Sequence, residues 1–168
     1  MIRKKIDCIL NELPEEELEH VYQAVLGVKQ EYDYKQNLIN KGVTLDIYHT
    51  DSEKLIQRWE AAFAGSIKEE VKAKIYYEQF KWHLFSYEKI PCLKEEEART
   101  AFDAQRKGNL YMMYERFPIV YVYENAMNVT SEDFNSQSDI YIFDDSFSWT
   151  YVHTHEEMCG PYFLKLAD

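Results

Sequence analysis

The stretch Ile140-Tyr141-Ile142-Phe143-Asp144-Asp145-Ser146-Phe147-Ser148-Trp149-Thr150-Tyr151-Val152-His153-Thr154-His155 decides how the chain folds. Two runs of Ile, Tyr, Phe, Val and Trp, residue types that suit a pleated and half-buried surface, flank Asp144-Asp145-Ser146, a cluster that favours a turn. That is the pattern of a β-hairpin with strands over 140–143 and 147–155. Residues 110–115, 119–124 and 162–166 have the same strand-like composition. The connections between these runs are short, which favours antiparallel neighbours.

Upstream of residue 109 the period is helical. Ile2, Ile6, Ile9, Leu10 and Leu13 recur at helical spacing. Pro14 suits the first turn of a second helix, where Glu15, Glu16 and Glu17 complement the positive end of the helix dipole. Leu18, Val21, Tyr22 and Val25 continue that helix as an apolar stripe, and Gly42 is its expected stop. Residues 43–48 predict a short strand, and Thr50, Asp51 and Ser52 are candidate N-caps for a helix bearing Leu55, Ile56, Trp59, Ala62 and Phe63. Ser66 and Glu69 match a capping box at the head of a helix over 67–85, and a shorter helix follows over 95–106. Helices first and strands afterwards is the α+β pattern. The expectation is N-terminal helices followed by a mainly antiparallel sheet of about five strands with helices on one face. It divides into a helical N-terminal extension (1–42) and an α+β domain (43–168).

The chain of 168 residues is 46% hydrophobic and 29% charged, with five glycines and four prolines, a globular composition. Its net charge of −11 lacks the basic footprint of a nucleic-acid binder. No apolar run approaches the roughly 20 residues that span a bilayer, and the N-terminus lacks a secretory apolar core. Cys8, Cys92 and Cys159 are odd in number and widely spaced, which fits a reducing cytoplasm better than a disulfide framework. Charge is uneven: residues 109–168 carry 2 basic and 10 acidic side chains, with 13 of the 26 aromatics.

Chemistry concentrates in His153, His155, Glu156, Glu157 and Cys159. On a continuous strand, residues two apart share a face, so the two imidazoles could point together. With the Cys159 thiol they would form a metal centre for a divalent ion such as zinc or iron. The competing reading makes His153 and His155 the wetter end of an aromatic core face that begins at Phe147, Trp149 and Tyr151. His83, beside Trp82 and Phe85, is a general base or ligand on one reading and an interior histidine on the other. The glycines are scattered and no GxSxG or HExxH occurs, so no phosphate loop or catalytic motif is spelled out.

Two blocks carry a family resemblance. One is Trp82-His83-Leu84-Phe85-Ser86-Tyr87, continued by Pro91-Cys92-Leu93, Glu97-Ala98-Arg99 and Phe102-Asp103. The other is Trp149-Thr150-Tyr151-Val152-His153-Thr154-His155-Glu156, followed by Cys159-Gly160-Pro161-Tyr162-Phe163. Over roughly residues 45–166 the chain resembles an uncharacterised bacterial family, the domain of unknown function DUF4275. That family implies no activity and no residue roles.

Two functions remain. A non-enzymatic, immunity- or inhibitor-like binding module would use an acidic, Tyr-rich surface to meet a basic protein. Glu132, Asp133, Asp144 and Asp145 would then be its contact carboxylates. A small metal-dependent hydrolase would instead be built around His153 and His155.

Overall fold

The computed structural model describes residues 1–48 and 51–167. The chain divides into two compact units, Met1–Gln36 and Asn37–Asp168. The first holds α1 (Ile2–Glu12) and most of α2 (Glu15–Asn40). No residue of α1 is buried. At the far end of α2, Gly42 adopts φ +90°. The Val43 N–H bonds the Leu38 carbonyl at 3.1 Å and the Gly42 N–H bonds Ile39 at 2.9 Å, so the expected glycine stop is a Schellman cap.

The second unit is α+β, as expected. Its helices are α3 (Ser52–Ala64), α4 (Glu69–Lys74), α5 (His83–Ser86) and α6 (Glu95–Asp103). Its strands are β1 (Thr44–Ile47), β2 (Leu93–Lys94), β3 (Leu110–Tyr114), β4 (Val120–Glu124), β5 (Ile140–Asp144), β6 (Trp149–His153) and β7 (Tyr162–Lys165). They form one sheet in the order β1-β4-β3-β5-β6-β7-β2, antiparallel throughout. The sheet has seven strands rather than about five. The five aromatic-rich runs form its middle, and the short strands β1 and β2 close its two edges.

Helices cover both faces, a correction to the one-faced arrangement. Trp59 of α3 packs its ring 4.9 Å from Tyr141 and donates its indole N–H to Thr150 Oγ1 at 3.0 Å. Phe102 of α6 lies 4.6 Å from Tyr151 and 5.7 Å from Trp149. Thr150 and Tyr151 are successive strand residues and so point to opposite faces. Four of the five residues in each of β5 and β6 are accordingly buried, Trp149 among them. A sheet buried on both sides loses its clean alternation of polar and apolar residues, which hides the second helical layer from a pattern reading.

The expected helix over 67–85 is broken. It stops at Lys74, where Tyr76 takes φ +55° and the Tyr77 N–H returns to the Lys72 carbonyl at 3.0 Å. This is the same Schellman geometry without a glycine, stabilised by burial of Ile75 and Tyr77 on either side. Ser66 and Glu69 form no capping box, because Lys68 is the N-cap. Asp51 does cap α3, accepting the Lys54 N–H at 3.3 Å, whereas Thr50 lies outside the described residues. Among the described residues no helix is long and apolar enough to cross a membrane.

Candidate functional site

One end of the sheet gathers the reactive side chains. The β3–β4 turn, the approach to β5 and the β6–β7 loop converge there because antiparallel pairing brings Tyr114 beside Ile140 and Ile140 beside His153. The segment from Phe80 to His83 lies against this end. Hydrogen bonds link it to the sheet end. The Trp82 N–H donates to the Tyr141 hydroxyl at 2.9 Å, and that hydroxyl donates to Glu115. Glu115, its side chain almost wholly buried, also accepts the Lys81 N–H at 2.8 Å and pairs with the Lys81 ammonium at 3.1 Å. Burial and the Glu115 charge push the Tyr141 phenol far above its usual range, so it stays a donor.

Asp139 is the second anchor. It sits at φ +53°, a region that Asp tolerates better than most residues. Its carboxylate accepts the Trp82 indole N–H at 3.1 Å, the His155 backbone N–H at 3.2 Å and His155 Nδ1 at 2.8 Å. The two blocks that carry the family resemblance thus meet through a residue outside both. His155 also lies 5.2 Å from Phe80 and 5.9 Å from Trp82. His83 flanks the same two rings, at 5.5 and 4.5 Å, and holds the Tyr76 carbonyl through Nδ1 at 3.2 Å.

The two sheet histidines do not share a face. β6 ends at His153, and the chain beyond it turns. His153 continues the face of Tyr151 that α6 covers, while His155 reaches the rings of Phe80 and Trp82 beside Tyr141. The other end of the strand fails in the same way. Phe147 has φ +57° and stacks on Phe143, off the face of Trp149. The parity extended from 147 to 155 holds only for 149, 151 and 153.

His153 Nδ1 lies 2.7 Å from the Gln137 carbonyl, so that nitrogen carries the proton. Burial holds its pKa below the ordinary histidine value, leaving a neutral ring. His153, His155 and Cys159 line one cleft of about 410 Å³ with Arg99, Asn135 and Glu156. Desolvation, then Glu156, raises the Cys159 pKa, so its sulfur is a thiol and a poor nucleophile. Among the described residues no three His, Cys, Asp or Glu side chains converge so as to hold a metal ion. Each imidazole is oriented through its Nδ1, and His155 Nε2 lies 3.9 Å from a Glu156 carboxylate oxygen.

The four carboxylates chosen as partner contacts separate. Asp133 is buried and closes a capping box with Thr130, while also binding Asn37 and Lys41 at 2.6 Å each. Asp144 organises the β5–β6 turn, accepting the Ser148 and Trp149 N–H groups at 2.7 and 3.2 Å. Glu132 and Asp145 are exposed. The tyrosines of the last third are not displayed: Tyr123, Tyr141, Tyr151 and Tyr162 are buried, and Tyr111, Tyr114 and Tyr121 are half-buried. The exposed groups at the site end include Arg116, Phe117, His155, Glu156, Glu157 and Met158. Sequence reasoning passed over Asp139 and Glu115, whose only local signal is an acidic residue at a strand boundary.

Fold and site define an α+β protein with a doubly covered antiparallel sheet and a hydrogen-bonded Asp–His–Trp cluster at one end. The family described as Domain of unknown function (DUF4275) matches residues 32–163, and the chain belongs to it. The match begins within α2, earlier than residue 45, and leaves α1 and the first two thirds of α2 outside. No curated protein matches the chain, and no solved structure does.

Proposed function

We propose that this protein is a cytoplasmic, non-enzymatic interaction module, immunity- or inhibitor-like, that binds a basic protein through the site end of its sheet. The observation that carries the reading is the composition of that end. Phe117 is 62% exposed and Met158 is 93% exposed. Phe117 lines a cleft with the exposed ring of His155 and with Arg116, and Glu156 and Glu157 separate His155 from Met158 in the sequence. Apolar anchors beside carboxylates suit a partner that offers apolar pockets ringed by Lys or Arg. Beneath them Asp139, Glu115 and His153 are engaged in internal hydrogen bonds, which makes a firm platform. A net charge of −8 over residues 109–168 would draw such a partner in.

The test is capture from native lysate by the full chain, run beside a variant carrying Glu156→Lys and Glu157→Lys. The proposal expects a basic protein retained by the first and lost by the second. Equal retention by both, or an acidic partner, contradicts it. The second reading, a small hydrolase, is favoured by the shared cleft of His153, His155 and Arg99. Hydrolysis of ester or phosphoester substrates that disappears in both His153→Gln and His155→Gln would establish it instead.

A further inference from the structure

We propose that α2 pairs with α2 of a second copy, antiparallel, and makes the protein a dimer. The inference is independent of the binding reading above. α2 is 26 residues long. Leu18, Val21, Val25, Val28, Tyr32 and Lys35 recur at alternating spacings of three and four, the heptad spacing that forms a seam between two helices. At 100° per residue, Val25 and Tyr32 fall on the side of α2 away from buried Tyr34. The middle of the seam is in water, with Val25 58%, Val28 73% and Tyr32 58% exposed, while Leu18 and Val21 at its start are half-buried. Ile2, Ile6 and Ile9 of α1, in the same unit, are exposed as well. A heptad seam is its own complement, so a second copy fits it through a two-fold axis.

Charge selects the orientation. A parallel, in-register pair would set Lys35 against Lys35 inside the seam, each offset only by its own Glu31 at 2.9 Å, and would align the acidic starts of both helices. An antiparallel pair centred between Val25 and Val28 sets Lys35 opposite Leu18 of the other copy, among Glu15, Glu17 and Glu19. Lys29 then lies near the two-fold axis, where its own Asp33 already neutralises it.

The experiment is light scattering coupled to size exclusion, with sedimentation equilibrium, on the full chain at up to roughly 100 μM. Twice the single-chain mass is expected. Val25→Glu with Val28→Glu should give a monomer with unchanged near-ultraviolet circular dichroism, since neither residue is buried. Lys35→Glu should weaken the dimer at least about threefold, and adding Glu15→Lys and Glu19→Lys should restore it. A monomer throughout overturns the proposal, including one whose seam holds another protein or a lipid surface. So does a dimer that survives Val25→Glu with Val28→Glu. A dimer indifferent to the Lys35 and Glu15/Glu19 exchanges overturns the orientation.

Discussion

Replacing Asp139 by alanine removes the acceptor shared by Trp82 and His155. Trp82 is buried, so its indole N–H would be left without a partner, at a cost of about 1–3 kcal/mol. His155 is exposed, and its ring can bond water instead. Alanine must also hold φ +53°, which asparagine and aspartate tolerate and alanine does not, adding about 1 kcal/mol. The sum is about 2–4 kcal/mol. Asp139→Asn keeps an oxygen acceptor and tolerates the backbone, so it should cost under about 1 kcal/mol. Urea unfolding followed by tryptophan fluorescence separates the two. With a slope of about 2 kcal/mol/M, the alanine midpoint should fall by about 1–2 M and the asparagine midpoint by less than about 0.5 M. An alanine variant as stable as wild type, or an asparagine variant as weak as alanine, would refute the claim that Asp139 joins the two blocks.

Three further outcomes are expected. Trp149→Ala, which empties the space between β6 and α6 beside Phe102 and Phe163, should cost about 3–5 kcal/mol in the same urea assay. Tyr76→Gly should stabilise by up to about 1 kcal/mol, because Tyr76 is exposed and left-handed, and a thermal melt would register it. The His153 pKa is lower folded than unfolded, so the unfolded chain takes up its proton first as pH falls below about 6.5. That contribution is present in full above about pH 6.5 and is lost as pH falls through the folded pKa. In urea titrations at pH 5 and 7.5, His153→Gln should therefore show a smaller drop than wild type.

The central strands were legible because Ile, Tyr, Phe and Val cluster between turn-forming residues such as Asp144 and Ser146. The edge strand β2 was not, because two residues carry no period. Tyr76 was invisible as a helix stop because it is neither Gly, Pro nor Asn, and only the burial of Ile75 and Tyr77 selects its left-handed backbone. His153, His155 and Cys159 did come to one cleft. Their orientations depend on where β6 ends and on bonds to Gln137 and Asp139, 16 residues away in sequence, which local parity cannot encode. The aromatic wealth of residues 109–168 read equally as surface or interior, and two helical layers make it interior.

The binding reading is tested most directly by the association rate of a captured partner, measured by stopped flow at about 50 and 200 mM salt. Between these conditions the screening length contracts to below about 8 Å. A basic partner steered to Glu156, Glu157 and the acidic surface around them should associate about tenfold more slowly at the higher salt, with its dissociation rate little changed. Glu156→Lys with Glu157→Lys should slow association in the same way and move folding stability by less than about 0.5 kcal/mol, since both side chains are exposed. An association rate indifferent to salt and to these two charges would contradict the proposed function.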